Sequence, residues 1–346
     1  MDKILSLIIP TYNMEKYLDK CLTSLIIDDM ELMKQLEVLV IIDGATDSSS
    51  EIAHTYEARF PYTYKVIDKE NGNYGSCINR GLKEATGKYV KVLDADDSFN
   101  TINFAKYLRF LLERDYDLIM TPYIIVDEND SITSVQKYNL PQNESLSWNI
   151  LGAVLKKQHI QMHAITYKLS VVKNIGYKQT EGISYTDQEW DYTPLSNVES
   201  IIYTPIELYR YLVGRVGQTM NPDALKKNIS HNEMCVRKIV IDFSNIKHTI
   251  NERFDFLQYE CKRSVEGIYF MYLVKYNDIP LERLIEFDKF ISNSLPEISN
   301  EINEATIPHT KLKYIKTWRL HKNRLSLIYR FGYIYSKIAN RIINYL

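Results

Sequence analysis

Cysteine is scarce in this chain and never closely spaced. Cys21, Cys77, Cys235 and Cys261 lie far apart with no CxxC pair, which excludes a zinc ribbon and a disulfide-stapled scaffold and points to a reducing, cytoplasmic compartment. No basic segment followed by a long apolar run opens the sequence, which passes directly into an apolar stretch at Ile4–Ile9. A signal peptide is therefore not expected. No uninterrupted apolar stretch approaches the ~20 residues that cross a bilayer. Internal repeats and low-complexity segments are also absent. The formal net charge is only −2, so nothing indicates a nucleic acid partner. Acidic residues stop at Glu304, however, while nine cations follow from Lys311 to Arg341. The tail is strongly basic and the remainder acidic.

What is present is ample core material. Of 346 residues, 45% are hydrophobic, and 27 are tyrosines, enough for one large domain with a substantial appendage. Short apolar runs at Leu5–Ile9, Val38–Ile42, Tyr64–Ile67, Tyr89–Leu93 and Leu118–Ile125 alternate with helically spaced segments at Lys16–Ile27, Ser48–Phe60, Gly75–Ala85 and Ile102–Leu112. Strands alternating with helices predict βαβ units, and continuous apolar strands predict a sheet covered on both faces. The fold class is therefore α/β, a Rossmann-like, mainly parallel sheet flanked by helices. Further strands are expected at Ser131–Tyr138, Ala164–Tyr167, Ile201–Tyr203 and Leu208–Leu212. Beyond Pro222 the pattern is helical, with candidates at Asp223–Ile241, Arg253–Tyr276 and Leu281–Ser294 punctuated by Pro280, Pro296 and Pro308. The expected division is an α/β domain over 1–218 and a helical C-terminal region over 219–346.

In an open parallel sheet, ligands bind at the carboxyl ends of the strands. Those ends here carry Pro10-Thr11-Tyr12-Asn13, Asp43-Gly44-Ala45-Thr46-Asp47 and Asp94-Ala95-Asp96-Asp97. The last places several carboxylates at one strand terminus, where they repel one another and raise their own pKa values. A hard divalent cation relieves that repulsion and takes up charge on a leaving diphosphate. A solvated acidic turn that caps the helix near Thr101 accounts for the same residues. Asp43-Gly44 suits a tight turn, with Asp47 or Ser48 as a helix cap, or a carboxylate accepting from a base N–H. Asn71-Gly72-Asn73-Tyr74-Gly75 is a plain loop or an anion-binding one.

Taken in order, these blocks resemble family 2 glycosyltransferases, inverting enzymes of the glycosyltransferase A-type fold. The resemblance runs from Leu7–Asn13 through Tyr17-Leu18, Cys21–Leu25, Ile42–Asp47, Asn71–Gly75, Asn79–Leu82 and Ala85–Tyr89 to Leu93–Asp97. It implies an enzyme that moves a sugar from a nucleotide-sugar, with UDP-sugars favoured, to a hydroxyl acceptor in polysaccharide or surface-glycan assembly. Pro10, Thr11 and Tyr12 would contact the base and Asp43 its ring N–H. Asn73, Gly75, Asn79, Asp94 and Ala95 would line the donor site, and Asp96 would ligate Mg²⁺ or Mn²⁺. Two positions depart from the family pattern: Ile42 stands where an acid is common, and Ile78 where many members have Arg.

Inversion requires a base for the acceptor hydroxyl. In Gly182–Asp191 the resemblance assigns that role to Asp187, with Glu189 as second candidate; a helix cap is the other role open to Asp187. Tyr211–Thr219 resembles a loop in which Arg215 and Gln218 would close over the diphosphate, and a surface loop reads equally well. His159 and His163 either line the acceptor site or are buried structural residues. In Arg324–Leu346, Leu327, Phe331, Ile334, Ile338, Ile342 and Tyr345 recur every three or four positions, with Arg330, Lys337 and Arg341 on the opposite side. Such a basic amphipathic helix lies in an anionic membrane interface or packs on protein with its charges in water. The first option suits a peripheral location on the inner face of the cell membrane and a lipid-linked saccharide acceptor. Two other functions share part of this pattern, a nucleotidyltransferase and a catalytically silent nucleotide-sugar-binding protein. The first usually carries a Gly-rich basic loop after its first strand, which Pro10–Asn13 is not.

Overall fold

The computed structural model describes all residues except 1, 216–217, 219–221, 247–250, 277, 323–324 and 346, and omits the side chains of 222 and 341–345. The chain divides into two compact units, Met1–Asn221 and Pro222–Leu346.

The strands of the first unit are β1 (Leu5–Thr11), β2 (Leu36–Asp43), β3 (Tyr64–Lys69), β4 (Tyr89–Val92), β5 (Ser98–Phe99), β6 (Leu118–Met120), β7 (Tyr123–Val126), β8 (Ile132–Gln136), β9 (Ser145–Leu146), β10 (Ile165–Lys168), β11 (Ile201–Tyr203) and β12 (Tyr209–Leu212). Between them lie α1 (Leu18–Thr23), α2 (Met30–Lys34), α3 (Ser49–Arg59), α4 (Asn73–Glu84), α5 (Thr101–Leu112), α6 (Trp148–Gln158), α7 (Leu169–Asn174) and α8 (Asp187–Tyr192). The large sheet has the order β3-β2-β1-β4-β10-β6-β11-β9. Its first four strands are mutually parallel, and β10 inserts antiparallel between β4 and β6. A small sheet has the order β5-β12-β7-β8. Every residue of β1 is buried, which is why the run is apolar at successive positions rather than alternating.

The expected run Leu118–Ile125 is in fact two strands. Pro122 has no N–H to give to a ladder, and the chain leaves the large sheet there. β6 pairs with β10 and β11, whereas β7 pairs with β12 and β8. Helices α6 and α7 were not expected; Ser147 caps the former by accepting from the Ile150 amide.

The second unit contains α9 (Pro222–Lys227), α10 (Ile229–Ser244), α11 (Glu252–Phe270), α12 (Glu282–Ser294), α13 (Pro296–Glu301), α14 (Tyr314–His321) and α15 (Leu327–Tyr345). The helix expected over Asp223–Ile241 is interrupted at Asn228. Asp288 on α12 accepts from the Tyr269 hydroxyl at 2.6 Å and Arg319 Nε at 2.8 Å, tying α11 and α14 to it. Burial alone would raise this carboxyl, but Tyr269, Arg319 and Lys322 outweigh it and hold it below the ordinary range.

Helix α4 approaches β1 so closely that a Cβ at Gly81 would lie 2.5 Å from Ile8 Cγ2. Alanine would gain ~1 kcal/mol of helix propensity and lose ~1–3 kcal/mol to overpacking. Gly81→Ala should therefore lower the urea midpoint; a raised midpoint would mean that α4 does not seat on β1 as described.

Candidate active site

Because β1, β2 and β4 run parallel, the loops that follow them emerge at one edge. The first two are stitched together. Asn13, in the left-handed region at φ 52°, accepts from the Thr46 amide at 2.8 Å. The Glu15 amide donates to Asp47 at 2.9 Å and the Ser48 amide to Glu15 at 3.1 Å, while Asp47 also holds the Ser49 amide at 3.0 Å. Asp47 thus bridges the two loops rather than acting only as a cap. Pro10 and Thr11 are buried, the Thr11 hydroxyl donating to the Ile9 carbonyl. Of the three residues expected at the base, Tyr12 alone presents its side chain, at 49% exposed.

Asp43 is buried at the end of β2, and one carboxylate oxygen accepts from Lys69 Nζ at 2.5 Å and the Gly72 amide at 2.9 Å. Its carbonyl accepts from the Asn71 side chain at 2.8 Å. Lys69 was not expected here; it also donates to Ser76 Oγ at 2.8 Å. Asn73, at φ 65°, opens α4. Gly75 and Asn79, expected at the donor, instead face residues 179–182. A Cβ at Gly75 would lie 2.0 Å from the Thr180 carbonyl oxygen. Asn79 exchanges two 2.8 Å hydrogen bonds with the Gln179 backbone. Both residues therefore position the segment that leads to Asp187.

The carboxylate turn after β4 is closed by the Asp97 amide donating to the Asp94 carbonyl at 3.0 Å. It does not cap α5: Asn100 does, accepting from the Asn103 amide at 3.1 Å. Each acid has its own partner. Asp97 is buried and accepts from the Tyr209 hydroxyl at 2.6 Å and the Leu212 amide at 2.7 Å. Asp96 accepts from Arg215 Nε at 2.5 Å. Asp94 accepts from the Tyr74 hydroxyl at 2.9 Å, and its amide donates to the Tyr209 oxygen at 3.2 Å. Ala95 is buried between them. Burial first, and the Asp96 charge second, push the Asp94 and Asp97 carboxyls well above the usual range. Tyr74 and Leu212 only partly offset this.

Asp187 opens α8, and burial raises its carboxyl although its own and the Gln188 amide oppose that shift. Its charge is felt at Asp94, Tyr74 and Tyr211, so two segments about 90 residues apart converge. Glu189 is fully buried and holds the Thr180 amide at 2.8 Å, a structural position. In the loop after β12, Gln218 accepts from the Gly214 amide at 2.9 Å and donates to the Leu212 carbonyl at 2.7 Å. Residues 216–217 and 219 of the expected lid lie outside the described residues.

His163 is buried with its ring 4.2 Å from Tyr211 and 4.8 Å from Tyr209. Its Nδ1 has no hydrogen-bond partner among the described residues, and burial, followed by the Lys91 charge, pushes its pKa down to about 3. Ligand atoms of Asp94, Asp97 and His163 lie within 4.8 Å of one another. Lys91 is fully buried in β4, donates to the His163 and Ile165 carbonyls at 2.8 and 2.9 Å, and is lowered to about 7 by burial. His159 is not in this cluster; it ends α6 at φ 40°. Cavities of 470 and 390 Å³ lie elsewhere, and neither is lined by these carboxylates.

Comparison with known proteins agrees with this geometry. The sequence pattern of Glycosyl transferase family 2 matches residues 6–173, a span that includes the carboxylate turn and His163 and ends before Asp187. The uncharacterized glycosyltransferase YibD of Escherichia coli K12 is 26% identical over 239 residues, 67% of this chain and 68% of that protein. The uncharacterized glycosyltransferase MG060 homolog of Mycoplasma pneumoniae is 38% identical over 122 residues, 34% of this chain and 40% of that protein. The minor teichoic acid biosynthesis protein GgaB of Bacillus subtilis is 29% identical over 178 residues, 50% of this chain but only 19% of its own length. The chain thus spans less than half of the latter two. Residues 1–349 of S. aureus TarS in complex with UDP-GlcNAc superpose with a TM-score of 0.62 at 20% identity, covering 85% of this chain and 82% of that one. That likeness is one of fold. On the matched segment, the ordered loops and the shared architecture, the chain carries a glycosyl transferase family 2 domain over residues 6–173.

Proposed function

We propose that this protein is an inverting glycosyltransferase that moves a hexosyl or N-acetylhexosaminyl group from a UDP-sugar to a hydroxyl of a saccharide or lipid-linked saccharide. The observation that carries the reading is the Asp94–Asp97 turn at the carboxyl end of β4, parallel to β1, joined through Tyr74 to α4, the helix on which the segment leading to Asp187 is fastened. The solved complexes of TarS with UDP-GlcNAc and with UDP support the nucleotide. The naming of GgaB for teichoic acid synthesis supports surface-glycan assembly.

In the reaction the acceptor oxygen forms a bond to the anomeric carbon while the bond from that carbon to the diphosphate oxygen breaks. UDP leaves with the electron pair, and the acceptor proton passes to the Asp187 carboxylate. Tyr12 covers the base and Asp43, braced by Lys69 and Gly72, offers its second oxygen to the ring N–H. The residues fit a divalent cation: the carboxylates of Asp94 and Asp97 supply hard oxygen donors within 4.8 Å of His163, whose buried Nδ1 has no hydrogen-bond partner among the described residues and suits Mn²⁺ better than Mg²⁺. Asp96, in the same turn and paired with Arg215, is the ligand that the family resemblance implies. Bound by Asp96, such an ion would neutralise charge developing on the diphosphate. Arg215, now paired with Asp96, is the one described cation of the loop after β12 in reach of that charge.

Two outcomes follow. In Mn²⁺, thermal stability measured with UDP, GDP, CDP and dTDP should rise most with UDP, by ~2.7 kcal/mol at ~100 times the dissociation constant. A larger rise with another nucleotide would reassign the donor. Asp187→Asn should retain that UDP response yet lose ~10²–10⁴-fold in transfer; near-normal transfer removes Asp187 as base. Since the base acts unprotonated and burial raises its pKa, wild-type kcat/KM should fall with decreasing pH above the ordinary carboxylate range.

A further inference from the structure

Helix α15 is amphipathic the wrong way round for a helix that merely packs on protein. The face turned inward is small and polar: Tyr329 and Ser336 are buried, and a Cβ at Gly332 would lie 2.7 Å from Leu312 Cδ1. On the same side Asn340 accepts from His309 at 2.7 Å, with the imidazole nitrogen as donor, and the Tyr329 hydroxyl lies 2.6 Å from Thr317 Oγ1. The apolar face is turned to solvent. Leu327, Ile328, Phe331, Ile334, Tyr335 and Ile338 are each 53–67% exposed. At ~100° per residue these six fall within an arc of ~120° and extend ~17 Å along the axis. Exposed large apolar side chains scattered singly need no explanation, but a contiguous stripe of this kind marks a contact surface.

The charge around the stripe selects its occupant. Arg330 and Lys337, expected on the side opposite the apolar residues, fall instead along one edge of the apolar arc, and Lys337 lies 4.8 Å from the Tyr333 ring. No acid occurs anywhere after Glu304. Among the described residues, Lys313 pairs with Glu304, and Arg319 and Lys322 pair with Asp288, which discounts the tail's formal charge without reversing its sign. A second copy would set basic against basic. No described helix is long and apolar enough to cross a membrane, so insertion as a span is not available to α15.

The geometry points to α15 as an interfacial anchor: the stripe Leu327–Ile338 lies in the headgroup region of an anionic lipid surface, with Lys337 at its edge against the lipid phosphates. This stands independently of the donor site. The test is co-sedimentation of the full chain with vesicles of phosphatidylcholine alone or with phosphatidylglycerol added, using wild type and the double variant Phe331→Ser, Ile334→Ser. Both substituted residues are exposed, so the variant should melt like wild type. Wild type should bind the anionic vesicles, weakly bind the neutral ones and release as salt is raised. The variant should bind at least about tenfold less tightly. Equal binding by variant and wild type overturns the proposal. So does absence of vesicle binding together with a dimer, seen by analytical ultracentrifugation, that the variant dissolves.

Discussion

Three carboxyl groups within four residues repel one another, and in this chain the fold forces them into a largely buried edge of the sheet. Everything around Asp94–Asp97 serves to keep that arrangement bearable. Tyr209 joins the turn twice, donating to the Asp97 carboxylate and accepting from the Asp94 amide. The Leu212 amide, Arg215 and Tyr74 come from two other parts of the chain to meet the remaining oxygens. The small sheet exists in this light as a brace, because β12 pairs with β5 immediately after the turn and carries Tyr209 and Leu212 to it. Lys91 and His163 add a buried amine, lowered to about 7, and a neutral imidazole next to this turn. With the carboxyls raised by burial and by mutual charge, a cation of the kind proposed for this site would lower a repulsion that the protein alone only partly relieves.

The second requirement is that Asp187, the proposed base, reach this part of the molecule from far along the chain. Residues 179–182 are fastened to α4 by Asn79, by the missing side chain of Gly75 and by the Gly182 amide on the Gly72 carbonyl. Glu189 closes the same loop from within α8. Asp187 therefore takes its place from packing on the helix whose first turn also supplies Tyr74 to Asp94. Asp94 and the segment that carries Asp187 share one support, and a shift of α4 would disturb both.

Much of this was legible because its causes are local. Apolar runs covered on both faces announce parallel strands, and the polar loops at their ends announce the edge where chemistry sits. The Asp94–Asp97 turn, Asp43 and Asp187 were visible as residue types at strand or helix ends. What escaped was set by tertiary contact. Gly75 and Asn79 belong to a motif read at the donor, but their partners lie about 100 residues on, in a segment with no pattern of its own. Lys69, Tyr74 and Tyr209 carry no signal beyond being a cation or phenols among many. Lys91 did carry one, a lone charge inside an apolar strand, which calls for buried acceptors. The split at Pro122 was also readable in principle, since a proline rarely continues a central strand. For α15 the periodicity told that the helix is two-faced; only the close approach at Gly332 and the burial of Ser336 told which face looks outward.

The central claim is that the acidic turn becomes a metal-assisted diphosphate site. Electron paramagnetic resonance of Mn²⁺ titrated into the protein, with and without UDP, in wild type and Asp96→Ala, tests it most directly. The account predicts bound Mn²⁺ in wild type that tightens when UDP is present and is lost in the variant. Mn²⁺ binding that is indifferent both to UDP and to the loss of Asp96 would contradict it.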